Sequence, residues 1–130
     1  MFSSTELTAL KSWAIEGMEI LKGHLQCKIF THAEKEDKRR EYYVLESAVQ
    51  EICRWQSEYV SVDAEQLGHM LFICDEYKHY AYELCESGKI SAKEFAEVCY
   101  MIGQLVVKIE LGALTAVDTT ELYEWEMTLL

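Results

Sequence analysis

Proline is absent from this chain of 130 residues, although an average composition would supply about six. Because proline interrupts the hydrogen-bond ladder of a helix more severely than any other residue, its absence permits long, uninterrupted helices. Glycine is also scarce, with six residues scattered along the chain, which argues against a β fold rich in tight turns. These two shortages favour an all-α fold.

The five cysteines form no Cys-x-x-Cys pair, and no apolar run reaches the ~20 residues that a membrane helix needs. The first residues also lack the basic and apolar segments of a signal peptide. We therefore expect a cytoplasmic protein with free, reduced thiols and no membrane partner. Helical period places four of these thiols on apolar stripes and predicts that they are buried: Cys53, Cys74, Cys85 and Cys99.

Basic residues are few: 12 lysines and arginines accompany 23 aspartates and glutamates, and the formal net charge is −11. Direct binding to nucleic acid requires clustered cations that displace counterions from phosphates, so we do not expect it. A protein with a basic surface is the electrostatically favoured partner. Acidity that serves solubility alone is an equally simple explanation of the charge.

The one basic cluster occupies residues 34–41, where acidic and basic residues are mixed. Glu34 precedes Lys38 by four residues, the favourable order for an ion pair along a helix. Glu36 and Arg40 have the same spacing. The cluster is therefore predicted to neutralise itself at the solvated start of a helix.

Apolar residues recur at helical period in four long segments, which we expect to form one domain over residues 1–130. The predicted helices cover residues 5–25, 34–59, 64–87 and 92–111. A connection over 112–117 then leads to a last helix over 118–130. Residues 27–33 are either a loop or a frayed continuation of the first helix. Because short connections join antiparallel neighbours, we predict a compact antiparallel bundle of four main helices plus a short C-terminal helix.

Local signals mark several of these boundaries. Ser3 with Glu6 and Ser91 with Glu94 have the spacing of a capping box, in which each side chain bonds the other residue's backbone N–H. Gly88 stands where the third helix should end, in the position that favours a left-handed cap.

The fourth helix is apolar on both of its faces. One face has the residues of a core helix, and the opposite face carries Tyr100, Val107 and Leu111 around Gly103. A helix that is hydrophobic all round is buried on all sides. Either this is the central helix of the bundle, or its second face is a homodimer interface.

Glu76 and His79 have the Glu-x-x-His spacing by which a bundle helix presents two ligands to a di-metal site. Such a site needs a second Glu-x-x-His pair, and the sequence contains none. Helical period also turns Glu76 and His79 towards solvent. Since no nucleophile motif or phosphate-binding glycine loop is present either, we predict a protein that is not an enzyme and has no cofactor or metal.

One outward face combines an aromatic side chain with carboxylates, which suits an anchor surrounded by charges that steer a basic partner. This predicted partner-binding set consists of Phe72, Asp75, Glu76, His79, Glu83 and Glu86. The C-terminal segment repeats the mixture with Glu121, Glu124 and Trp125. The alternative is that a neighbouring element, such as the last helix, covers Phe72.

The leading functional hypothesis is a non-enzymatic acidic protein-binding module. In its sharper form it is an inhibitor that occupies a basic or nucleic-acid-binding surface of another protein, of the phage anti-defence or immunity type. The alternative is a homo-oligomeric structural or small-ligand-binding helical bundle that uses the second face of the fourth helix.

Overall fold

A computed structural model of the chain describes the backbone of residues 2–58 and 61–129 and the side chains of residues 2–58 and 61–112. Its four helices are α1 (Ser4–Leu25), α2 (His32–Ser57), α3 (Ala64–Glu86) and α4 (Ala92–Leu129). They form an all-α bundle, which confirms the fold predicted from the periodicity. Within the described backbone there are no strands, and no helix has both the length and the apolar character needed to cross a membrane.

Capping boxes begin the first three helices. In each box the cap side chain accepts a hydrogen bond from the backbone N–H three residues on, and that residue's side chain accepts one from the cap N–H. The pairs are Ser3 with Glu6, Thr31 with Glu34, and Asp63 with Gln66. At the start of α4, the Ser91 hydroxyl accepts the Glu94 N–H at 3.1 Å. The ends of the helices are therefore encoded locally.

Of the two alternatives predicted for residues 27–33, the structure shows the loop, although it is two residues shorter than predicted. Helix α1 is capped at Gln26, and the Thr31 capping box starts α2 at His32. Residues 27–31 are thus the connection, while residues 32 and 33 belong to the second helix. The Thr-x-x-Glu signal was present in the sequence, and it sets this boundary.

Gly88 ends α3 in the predicted left-handed conformation, with a φ of 77°. Its N–H donates to the Cys85 carbonyl at 3.1 Å, and the N–H of Lys89 donates to the Leu84 carbonyl at 2.9 Å. This pair of bonds is a Schellman motif, which satisfies carbonyls that the end of the helix leaves unpaired.

Helix α4 continues through residues 112–117, where a connection was predicted, so the backbone of the predicted last helix is part of α4. Gly112 has the poorest helix propensity of that stretch, and a single glycine costs only about 1 kcal/mol in a helix. Nothing else there interrupts the ladder.

All four helices contribute to one hydrophobic core. Its fully buried side chains include Leu10, Ile52, Met70, Ile73 and Leu105. Helix α1 packs most extensively on α2, and α3 on α4. The Lys108 ammonium donates to the Glu6 carboxylate at 2.7 Å and so joins α4 to the first turn of α1.

Two alternatives were open for the second face of α4, and the described residues do not show the first, a central helix that is covered on all sides. Tyr100 is 71 % exposed, Val107 57 % and Leu111 59 %. Helix α4 packs mainly on α3 and therefore buries one face, which holds Ile102, Leu105 and Ile109. An apolar pattern predicts which faces of a helix could be buried, but it does not show whether another helix packs on each of them.

The prediction of buried cysteines holds only for Cys74. Cys53 is exposed, Cys85 and Cys99 are half-buried like Cys27, and all five thiols are free. Burial, with a contribution from the charge of Asp75, raises the pKa of the Cys74 thiol to about 12. Cys53 follows the fully buried Ile52 at the edge of its stripe, where one residue of rotation separates core from solvent.

Candidate functional site

A cleft of about 210 Å³ opens between α1, α2 and α3. Pockets for drug-sized ligands span about 300–1,000 Å³, so this cleft matches a single long side chain better than a nucleotide-sized molecule. The apolar and aromatic lining consists of Trp13, Gly17, Ile20, Leu21, Leu45, Phe72, Ile73, Tyr77 and Tyr80. The polar lining consists of His24, Lys38, Glu41, Glu76, His79 and Glu83.

Stacked aromatic rings form one wall of the cleft. The rings of Trp13 and Tyr77 lie 4.8 Å apart between centroids and are inclined by only 13°. Burial, together with the negative charge of Glu16 that accepts the phenol's hydrogen bond, raises the pKa of Tyr77 to about 12. This wall is therefore a neutral, rigid platform that joins α1 to α3.

Gly17 allows α1 and α2 to approach closely behind this wall. A Cβ atom at this position would lie 3.0 Å from Cδ1 of Leu45, tighter than ordinary van der Waals contact. The glycine thus has a packing role, although glycine within a helix is unfavourable. It lies in the middle of α1, and the sequence analysis did not identify it.

Carboxylates from two helices face one another at the cleft. Glu76 on α3 is partly desolvated, and this burial, reinforced by the charge of Glu41 on α2, raises the pKa of Glu76 even though His79 and Lys38 oppose the shift. Among the described side chains, Glu41, Glu76 and Glu83 form no salt bridge. The cleft therefore holds negative charge that no cation of the described chain pairs with directly.

Lys38 does not form the ion pair with Glu34 that the sequence predicted. The Glu34 carboxylate instead accepts the Thr31 N–H of the capping box at 3.3 Å. The Lys38 ammonium donates to Nδ1 of His24 at 3.0 Å and lies 4.5 Å from the centroid of the Phe30 ring. The side chain of Lys38 is thus directed to the connection between α1 and α2.

The neighbouring predicted pair, Glu36 with Arg40, is wrong as well. Glu36 pairs with Arg39, and Arg40 bonds Asp37 at 3.2 Å, so the contacts are three residues apart instead of four. Because both spacings bring side chains together on a helix, the sequence could not choose between them.

The cleft brings together four residues of the predicted partner-binding set: Phe72, Glu76, His79 and Glu83. Phe72 is half-buried and packs against the core, so it forms a wall and is not an isolated exposed anchor. Asp75 and Glu86 are exposed on α3 but do not line the cleft. The side chains of Glu121, Glu124 and Trp125 lie outside the described residues.

The outward orientation predicted for Glu76 and His79 is confirmed. Both side chains are exposed, yet they line the cleft, and Glu76 lies near a second carboxylate, that of Glu41. In the part of the chain with described side chains, no three His, Cys, Asp or Glu residues group as metal ligands. The periodicity of α3 identified the polar face correctly, but it could not show that α2 stands opposite.

Two further polar contacts link helices away from the cleft. Nδ1 of His69 lies 2.9 and 3.1 Å from the two carboxylate oxygens of Glu51, which joins α3 to α2. Burial raises the pKa of Glu51 in spite of His69. At Glu6, burial is outweighed by the bonds from Lys108 and Ser3, which lower its pKa. Both carboxylates are thus already engaged, in contrast to those of the cleft.

A second, more open groove follows the outward face of α4, and its lining includes Tyr100, Gly103 and Val107 together with the bonded pair of Glu6 and Lys108. It contains two of the three residues predicted for an oligomer interface, Tyr100 and Val107.

Comparison of the chain with family models, curated proteins and solved structures finds no significant match.

Proposed function

We propose that the chain is a non-enzymatic module that binds a protein with a basic surface through the cleft between α1, α2 and α3. The observation that carries the proposal is the combination of an aromatic wall with unpaired carboxylates in one cleft. Aromatic anchors surrounded by charge are typical of the residues that dominate binding energy at interfaces. Partly desolvated carboxylates gain most from a partner that supplies cations.

The sharper form of the proposal is an inhibitor that covers a nucleic-acid-binding surface, of the phage anti-defence or immunity type. Such surfaces are basic because they neutralise phosphates. A chain with a net charge of −11 is attracted to them over distances of about one Debye length, ~8–10 Å at moderate salt. This attraction speeds association and weakens as salt is added.

The proposal is tested by charge reversal on α3, with Glu76, Glu83 and Glu86 changed together to lysine. The chain is immobilised, proteins captured from the host extract are purified, and the Kd of each is measured at low and high salt. We expect the triple variant to weaken binding about tenfold or more, because two of the three carboxylates line the cleft.

A matched control changes Glu19, Glu97 and Glu110, all exposed and outside the cleft, to lysine. It alters the net charge by the same amount and should weaken binding about twofold at most, the scale of rim charges. Equal losses in the two variants would show that only overall charge matters. Unchanged affinity in the first would remove the cleft from the interface.

The second candidate function is a homo-oligomeric structural or small-ligand-binding bundle. The exposed face of α4, with Tyr100 and Val107, supports it because exposed apolar patches mark interaction surfaces. Under this proposal, light scattering detects a dimer that Val107→Glu converts to a monomer, while Glu97→Gln leaves it intact. A monomer at all concentrations would eliminate this candidate.

A further inference from the structure

We infer that the cleft receives an arginine side chain of the basic partner, stacked against the aromatic wall and bonded to the carboxylates of Glu41 and Glu76. The inference rests on the proposed function, because it specifies the chemistry of the partner at the same cleft. It also goes beyond that function, because it predicts a preference between the two common basic side chains.

The shape and lining of the cleft suit a flat cation on a long stem. The volume of about 210 Å³ is small, and apolar side chains such as Ile20 and Leu21 can cover the methylene stem of a long basic residue. Beyond them stand the half-buried rings of Tyr77 and Tyr80, whose centroids are 6.0 Å apart. A guanidinium plane stacks on such aromatic faces, whereas an ammonium is a compact, strongly hydrated charge.

The charges of the cleft complement one cation. Glu41 and Glu76 extend from different helices into the same cleft. Burial, followed by the negative charge of Glu41, raises the pKa of Glu76. Lys38 lies near enough to oppose that shift, but its ammonium is already engaged with His24 and the Phe30 ring. A cation between the two carboxylates would relieve their repulsion.

Arginine fits this arrangement better than lysine because its five N–H donors lie in a planar fork that can bond two acceptors in fixed directions. One face of the same plane remains available for an aromatic ring. The pairing of an aromatic wall with facing carboxylates therefore selects for the guanidinium group over a point charge.

The test titrates the full chain with the blocked peptide acetyl-Gly-Arg-Gly-amide and follows the NMR signals of the Trp13 indole and the Tyr77 ring. We expect a saturable shift with a Kd on the order of 1 mM, as befits one side chain. The matching lysine peptide should bind about fivefold more weakly, because its ammonium lacks the planar fork and the ring stacking of the guanidinium group. The size of this difference is that of a single exposed contact. The citrulline peptide, which has a similar shape without the charge, should produce no saturable shift.

Variants of the chain distinguish binding of the peptide at the cleft from attraction by the overall negative charge of the protein. Glu76→Gln should weaken binding of the arginine peptide about fivefold, and the matched Glu97→Gln on the exposed part of α4 should leave that binding unchanged.

Weaker binding by the Glu76→Gln variant would not be explained by a loss of folded protein. Since folding raises the pKa of Glu76, its ionised form lowers stability above that pKa, and the neutral variant should be at least as stable at neutral pH. The two proteins should converge in stability as pH falls below the ordinary carboxyl range, where Glu76 is protonated both folded and unfolded.

The inference is overturned if the arginine peptide gives no saturable shift at the cleft, or if the citrulline peptide binds equally well. Because the titration needs no partner, its failure is distinguishable from failure of the proposed function. A partner captured through the cleft without arginine binding would refute only the inference. Arginine binding with no charge-dependent partner would refute only the proposed function.

Discussion

Cys74 is expected to react with iodoacetamide about a thousandfold more slowly than an ordinary thiol in the folded chain, at mildly alkaline pH. The thiolate is the reactive form, and burial raises the pKa of Cys74 from 9.0 to about 12, so its thiolate fraction falls by about three powers of ten. Its side chain is also fully buried in α3, which denies the reagent access. Cys53, exposed on α2, has neither protection.

The measurement is the alkylation rate of each cysteine, read by mass spectrometry of the digested chain. Denatured protein supplies the control, because both thiols should then react at comparable rates. Comparable rates in the folded protein would mean that the core around Cys74 opens readily, and the burial described above would be wrong. A protected Cys74 beside a reactive Cys53 would show that the two thiols, predicted alike from the sequence, differ through packing alone.

Leu67→Ala should lower the free energy of unfolding by about 2–5 kcal/mol, because Leu67 is only 4 % exposed and its loss leaves a cavity in the core. The same substitution one turn away, Leu71→Ala, should cost about 1 kcal/mol or less, since Leu71 is 36 % exposed. The two positions share a helix and an identical chemical change. The difference between the two losses of unfolding free energy therefore measures the effect of burial, because the change in helix propensity is the same at both positions.

Urea denaturation of the two variants and the parent chain tests this pair. Midpoints should shift strongly for Leu67→Ala and little for Leu71→Ala, at an unchanged slope of free energy against urea concentration. Equal destabilisation would contradict the difference in exposure between Leu67 and Leu71. A changed slope would indicate that a substitution had altered the unfolded state or the two-state behaviour.

The starts of the helices were the most predictable part of the fold. A capping box needs only two side chains and two backbone N–H groups within one turn, so residues such as Asp63 and Gln66 carry the whole signal. The start of α2 was predicted two residues too late, although Thr31 and Glu34 form such a box.

The face of each helix was predictable only approximately. Leu67 and Leu71 lie one turn apart on α3, but the first is buried and the second is exposed. Successive helical residues are rotated by about 100°, so a stripe has edges where one step of rotation decides burial. Helical period gives the direction of the stripe, whereas its width depends on how neighbouring helices approach.

The candidate cleft illustrates the same division. Phe72, Glu76, His79 and Glu83 follow helical spacing on α3 and were identified as one face. Glu41, Lys38 and Trp13 were not associated with them, because residues so distant in the chain meet only after α1 and α2 have packed. The packing of α1 and α2 against α3 brings together residues that are far apart in the sequence, so a local sequence pattern cannot predict it.

The amino-acid sequence by itself determined that the chain is helical and where most of its helices begin, because propensity, capping and the absence of proline act within a few residues of one another. It also determined the large negative charge that favours a basic partner. Only the tertiary structure decided that α4 keeps one face exposed, that a single cysteine is buried, and that an aromatic wall meets unpaired carboxylates in one cleft. Each of these depends on which helices become neighbours, and that choice depends on packing the whole core at once.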